Sequence, residues 1–154
     1  LYHYVVRAVD AALNESPSSN EVHQRAELRY VTVKFRVTVP PGTPAGPIYI
    51  AGNTAAAFCG QQWNPSACQL TQINATTWEY TVSLLDGTSL EYKYTRGSWD
   101  TVEKQADGTT EVPNRMVTID YGTTGIQIIN DTVASWRDNY VGKFRIYLPI
   151  VFKN

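Results

Sequence analysis

The sequence predicts an all-β protein with the architecture of an antiparallel, immunoglobulin-like β-sandwich. Three observations lead there. Tyr is abundant, at 10 of 154 residues, and Thr and Val are frequent, which suits pleated, half-buried surfaces. Apolar and polar residues alternate with period two in several short runs. Gly, Pro and Asp-Gly pairs punctuate those runs at intervals typical of sandwich folds. The length suits one domain with a margin left over.

Residues 1–22 read as a strand, a turn and a second extended piece. Tyr2, Tyr4, Val6 and Ala8 alternate with His3, Val5, Arg7 and Val9, giving one apolar face. Residues 10–20 are polar and turn-rich. The piece Tyr2-His3-Tyr4-Val5-Val6-Arg7-Ala8-Val9-Asp10, then Asn14-Glu15-Ser16 and Ser19-Asn20-Glu21-Val22, resembles the last two strands of a fibronectin type III domain. Residues 23–29 are polar and linker-like.

A sandwich is expected over residues 30–138. Val31, Val33, Phe35, Val37 and Val39 alternate with Thr32, Lys34, Arg36 and Thr38, and Pro40-Pro41-Gly42 stops the strand. Residues 48–52 form a second strand, and residues 53–69 a long loop. Residues 78–85 give a third strand, with Trp78, Tyr80, Val82 and Leu84 on one face. Asp86-Gly87 is a tight-turn signal, so residues 90–95 are expected as its hairpin partner. Asp107-Gly108 marks another turn, and residues 115–120 and 125–131 supply two more strands. Residues 139–154 form a C-terminal strand-like tail. Its apolar segment 144–152 needs a cover: its own domain, beside residues 2–9, or a second chain.

Composition excludes several function classes. With 13 Lys+Arg against 14 Asp+Glu, the net charge is −1, so no basic surplus exists to hold a phosphate backbone. No apolar run approaches the roughly 20 residues of a membrane helix. Two cysteines and two distant histidines, His3 and His23, make no recognisable metal-ligand set, and no cofactor is expected. No catalytic set stands out: there is no Gly-x-Ser-x-Gly elbow. Asp100 and Glu103 are near neighbours in a turn-like stretch, but a glycosidase needs two carboxylates across a cleft. Cys59 and Cys68, nine apart in a Gly/Pro/Asn-bearing segment, are expected to form a disulfide, which suits an oxidising, extracellular compartment. Closing so short a loop is worth about 2–3 kcal/mol in the chain-entropy model. Three sequons, at Asn14, Asn74 and Asn130, fit the same setting weakly.

The loops carry the informative chemistry. Trp63 lies in Gly60-Gln61-Gln62-Trp63-Asn64-Pro65, and Trp99 in Arg96-Gly97-Ser98-Trp99-Asp100, both polar segments. A sugar ring has an apolar face of C–H groups and a rim of hydroxyls. An exposed indole covers the face, and Lys, Asn or Gln bond the rim. The alternative is that one or both rings fold back onto the core. Trp78 is in phase with Tyr80 and Val82 and is expected in the core. Trp136 is expected to cover the end of the sandwich or its junction with the tail.

Residues of about 30–120 resemble a family 20 carbohydrate-binding module, a starch-binding domain. The matching pieces occur in order: Val31-Thr32-Val33-Lys34-Phe35 leading to Ile48-Tyr49-Ile50-Ala51-Gly52-Asn53, then Trp63-Asn64-Pro65, Thr77-Trp78-Glu79-Tyr80-Thr81-Val82, Leu90-Glu91-Tyr92-Lys93-Tyr94, Val102-Glu103 and Pro113-Asn114-Arg115. The resemblance implies non-catalytic binding of α-1,4-glucan, whether starch, glycogen, maltooligosaccharides or cyclodextrin. Carried over, Trp63 is the first stacking ring, Lys93 the lysine and Asn114 the asparagine of the main site, with Glu103 also lining it. The second stacking tryptophan is replaced by Lys104, and Trp99, five residues earlier, is the candidate to supply the ring. Two tyrosines of the family's second site are absent, where this chain has Pro44-Ala45-Gly46 and Gln72-Ile73-Asn74.

Two readings follow. In the first, the chain is the starch-binding appendage of a secreted amylase-type enzyme. In the second, it is a structural subunit of an extracellular polymer that self-associates through residues 1–9 and 144–152. Convergent, exposed Trp63, Lys93 and Asn114 favour the first; burial or scattering of the three favours the second.

Overall fold

The computed structural model describes residues 2–19, 22–24 and 27–139. Its strands are β1 (Tyr2–Tyr4), β2 (Val22–Gln24), β3 (Tyr30–Thr38), β4 (Tyr49–Gly52), β5 (Cys68–Gln69), β6 (Thr71–Gln72), β7 (Thr77–Leu85), β8 (Ser89–Thr95), β9 (Glu103–Lys104), β10 (Arg115–Thr118), β11 (Ile126–Thr132) and β12 (Ser135–Trp136). Two single turns of 3-10 helix, Trp99–Thr101 and Arg137–Asn139, complete the described elements.

Two four-stranded sheets face one another, ordered β10-β8-β4-β5 and β11-β3-β7-β6. The alternation expected along β3 is realised: Val31, Val33, Phe35 and Val37 are all fully buried, while Thr32, Lys34, Arg36 and Thr38 are not. From the other sheet, Ile50, Leu90, Tyr92 and Tyr94 point back at them. The centre is aromatic. Phe35 meets Tyr92 edge-on at 5.1 Å between centroids, and Tyr92 meets Tyr94 at 5.8 Å, the geometry that ring quadrupoles prefer. Trp78 is buried with this cluster, and Trp136 is fully buried, its indole N–H donating to Thr43 Oγ1 at 3.0 Å.

Two expectations are corrected. Asp86-Gly87 does turn the chain, with Gly87 at φ +83°, but β7 and β8 are not a hairpin. β7 pairs along all nine residues with β3, whereas β8 lies in the opposite sheet between β4 and β10. The turn is an arch between the sheets. Its backbone bonds elsewhere: Asp86 N to Arg29 O, Gly87 N to Ile119 O, and Ile119 N to Thr88 O. The physical reason lies in the buried faces. Trp78 and Leu84 of β7 and Leu90, Tyr92 and Tyr94 of β8 belong to one core cluster, built across the sandwich from two different sheets. The second correction concerns direction. Every pair is antiparallel except β11 with β3, which is parallel over seven residues.

In the N-terminal segment β1 pairs antiparallel with β2, with His3 opposite His23, so pairing reaches into the stretch read as a linker. A Val9–Glu15 bridge closes the turn between them, and Asp10 accepts from Ala12 N and Asn14 N. The expected tail segment 144–152 lies outside the described residues, and with it the suggested pairing to residues 1–9.

Gly52 ends β4 at a point of close approach. A Cβ there would stand 2.2 Å from Phe58 Cε2 and 2.4 Å from Glu91 O, and the backbone oxygen cannot yield as a side chain can. Gly52→Ala is therefore expected to destabilise the protein by about 2–3 kcal/mol, as overpacked cores do. Urea denaturation of the variant checks this.

Candidate functional site

The outer surface of the β8 region carries a recess of about 330 Å³ lined by Trp63, Lys93, Trp99, Val102, Glu111, Asn114 and Arg137. Each wall has a local cause. β8 turns Leu90, Tyr92 and Tyr94 inward, so Glu91 and Lys93 face outward. Asn114 precedes β10, directly before Arg115, which pairs in register with Tyr92. Its amide donates to Glu91 Oε2 at 3.0 Å; a carboxylate accepts only, so the NH₂ faces it and the amide oxygen is left at the other end.

Trp63 is held in a conformation that a non-glycine residue rarely adopts, φ +48°. Left-handed backbone costs about 1–2 kcal/mol, so the surroundings must over-determine it. They do. Trp63 N donates to Gly52 O at 2.7 Å, the Asn64 side chain accepts from Ser66 N at 3.0 Å, and Thr95 Oγ1 bonds Pro65 O at 2.5 Å. Upstream, Phe58 is sunk in the core and Tyr80 donates to Ala57 O at 3.0 Å. The Cys59–Cys68 disulfide is formed and ties the loop to β5. A loop fixed in this way loses little entropy when a ligand arrives.

Trp99 opens a 3-10 turn capped by Ser98, whose hydroxyl accepts from Asp100 N. Its ring is 37 % exposed and stands 6.4 Å from that of Trp63, centroid to centroid, with 47° between the planes. The two indoles form an open V on one side of the recess and do not stack on each other.

Lys104 does not reach into the recess as a free cation. It is buried, and its ammonium pairs with Glu111, which also accepts from Lys93 Nζ at 3.5 Å. The Glu111 carboxylate is held below its usual range, first by the hydrogen bond from Lys104 and then by the charges of the two lysines. The turn that returns Glu111 beside Lys104 is well bonded: Asp107 accepts from the Thr110 hydroxyl, Thr110 N and Thr109 N, and these bonds, that of the hydroxyl foremost, lower its carboxyl to about 2.

Glu103 is the sequence-selected residue that the structure does not bring to the recess. It is 0 % exposed, turned into the protein, and takes three hydrogen bonds from the Arg115 guanidinium and one from Tyr94 N. Arg115 also bonds Asp131 at 2.9 Å, and Asp131 Oδ2 accepts from both Tyr92 and Tyr94 hydroxyls at 2.9 Å. A buried carboxylate must be paired, and the pairing partner lies inward. Asp100 is exposed and Glu103 is not, so the two carboxylates do not face each other across a cleft. Glu111 and Arg137 are recess residues that the sequence reading missed. The Asp107-Gly108 turn could have flagged Glu111, since a turn there folds 111 back on 104. Arg137 left no sequence signal.

A second recess, of about 560 Å³, is lined by Gly46, Pro47, Gln69, Leu70, Thr71, Gln72 and Trp78. Its one aromatic residue is Trp78, which is buried, so it presents no exposed ring to a sugar.

Residues 30–129 match the family model described as starch binding domain. The chain belongs to the starch-binding domain family. It is 42 % identical over 138 residues to an amylopullulanase of Thermoanaerobacter thermohydrosulfuricus, and 44 % over 137 residues to one of Thermoanaerobacterium thermosulfurigenes. These matches cover 90 % and 89 % of the chain but 9 % and 7 % of the relatives, so the chain spans less than a tenth of their length. A solved glucoamylase of Hypocrea jecorina is 29 % identical with a TM-score of 0.54, covering 70 % of this chain and 17 % of that one. A starch-binding domain is a binding module and not a catalytic domain, and this one has the all-β sandwich expected of it.

Two outcomes follow for the buried network. Arg115→Met leaves Glu103 buried without its partner and is expected to cost about 3–5 kcal/mol in urea denaturation. Burial, and then the charge of Asp131, raises the Tyr92 and Tyr94 hydroxyls well above the ordinary 10.0. A folded-state value above the unfolded one means stability is full below about pH 10 and falls as pH rises beyond it, by up to about 1.4 kcal/mol per pH unit for each phenol. Thermal melts between about pH 9 and 11 should show that decline, and a Tyr92→Phe variant a shallower one.

Proposed function

We propose that the chain is the starch-binding appendage of a larger, secreted amylolytic enzyme, and that its site is the recess built on Trp63 and Trp99. The observation that carries this is convergence: four residues separated by up to 51 positions, Trp63, Lys93, Trp99 and Asn114, line one recess. The tilt between the indoles suits an α-1,4-glucan. Successive glucose units in such a chain are turned relative to one another, so two apolar sugar faces meet two inclined rings better than two coplanar ones. Trp99 here serves as the second stacking ring, while the charge of Lys104 is already satisfied by Glu111. Lys93 donates to the hydroxyl rim, and the Asn114 amide oxygen accepts from it.

Secretion is supported by the disulfide and by the amylolytic relatives. Among the described residues no helix is long and apolar enough to cross a membrane. An appendage role is supported by the small share of each relative that the chain spans. Residues 1–22, with β1 paired to β2, read as the end of a preceding module.

Binding of β-cyclodextrin tests the proposal. Trp78 and Trp136 are buried, so ligand-induced fluorescence changes report on Trp63 and Trp99. Wild type is expected to bind, and Trp63→Ala to lose tenfold or more, since a stacking ring is worth about 1–3 kcal/mol by analogy with base stacking. Trp99→Ala is expected to lose severalfold. Folded wild type that binds no α-glucan would overturn the reading, and an unaltered Trp99→Ala would remove Trp99 from the site.

A further inference from the structure

Residues 133–139 lie beyond the family match at 30–129, yet one of them, Arg137, lines the recess. The chain is brought there firmly. Val133 N donates to Thr38 O at 2.9 Å and its side chain is buried. β12 then pairs with β9, Trp136 opposite Glu103, and the Trp136 ring is 0 % exposed. Arg137 N donates to Val102 O at 2.9 Å. Asp138 takes two hydrogen bonds from Arg96 Nη1, at 2.9 and 2.8 Å, and Arg96 begins the loop that carries Trp99. The Arg137–Asn139 turn is thereby packed against the Trp99–Thr101 turn.

The cations around this region differ in how they are used. Lys93 and Lys104 share Glu111, Arg96 holds Asp138, and Arg115 holds Glu103 and Asp131. Arg137 lines the recess and has no carboxylate partner among the described residues. Its one side-chain hydrogen bond among the described residues is a long one, 3.5 Å, from Nη1 to Trp99 O. A guanidinium carries five N–H donors in a planar fork, so most of them remain available at a recess that two indoles also line.

We propose that Arg137 is a carbohydrate-binding residue. It donates to hydroxyl or ring oxygens of the glucose unit beside the one on Trp99, and the Arg96–Asp138 pair positions the Trp99 turn against it. This rests on the starch-binding reading of the recess. The site is then larger than the family's matched span, because part of its rim comes from the strand and turn that follow.

Calorimetric titration of the intact chain with maltoheptaose tests it, comparing wild type, Trp63→Ala, Arg137→Ala, Arg137→Met and Arg137→Lys. Because the Arg137 side chain is exposed, all three Arg137 variants should melt with wild type. Alanine and methionine are both expected to weaken binding three- to tenfold, and lysine to recover part of the loss. Two results would overturn the proposal while leaving the starch site standing: Arg137→Ala binding within twofold of wild type when Trp63→Ala has lost binding, or methionine restoring wild-type affinity, which would make the role one of packing. Failure of wild type itself to bind would instead remove the starch-binding reading, and this proposal with it.

Discussion

The molecule depends on one buried arrangement, the contact of Arg115 with Glu103 and Asp131. Glu103 comes from β9, Arg115 from β10 and Asp131 from β11, and the hydroxyls of Tyr92 and Tyr94 on β8 complete it. β8 and β10 belong to one sheet and β11 to the other, so the network stitches the two layers together. Removing charges from water is costly, and the cost is met only because every oxygen and every guanidinium nitrogen finds a partner. Such a network tolerates few geometries. It therefore fixes the relative positions of the strands that pass through it more sharply than apolar packing alone would.

The recess inherits that precision by adjacency along the chain. Lys93 sits between Tyr92 and Tyr94, Asn114 sits before Arg115, and Val102 sits before Glu103. In each case the neighbour belongs to the network and the other residue lines the recess. Trp63 comes from a different source of rigidity, a loop pinned by Phe58, by the Cys59–Cys68 disulfide and by the bond from Trp63 N to Gly52 O. Two independently braced walls thus meet in one recess, which is the condition for binding a sugar without first ordering the protein.

Glu111 shows how a charge inside such a site can be spent on structure. It neutralises Lys104, a residue whose burial would otherwise be unfavourable, and it orients Lys93. Lys104 is thus held in an ion pair, and the ring facing Trp63 is that of Trp99.

Much of this was legible in the sequence, and the reason is local. The alternation along β3 has period two and burial follows it, so that strand and its part of the core could be read directly, as could the buried Trp78 and Leu84 of β7. The ordered motifs of the resemblance singled out Trp63, Lys93 and Asn114, each within a short stretch of turn or strand, and all three line the recess. What could not be read depends on contacts between distant segments. Nothing in Asp86-Gly87 distinguishes a hairpin from an arch, since both need the same turn, and only the pairing of β7 with β3 decided it. Glu103 and Glu111 are chemically alike and eight residues apart; which faces the core and which faces the recess was settled by where Arg115 and Lys104 lie. Arg137 has no motif of its own and enters the recess only because β12 pairs with β9. The sequence by itself determined the class of fold, through periodicity, and named the loop aromatic residues that meet in the recess, through residue type. Tertiary structure alone decided which charges are buried, which ring faces Trp63 and which later segment closes the site, because each of those is set by packing between residues far apart in the chain.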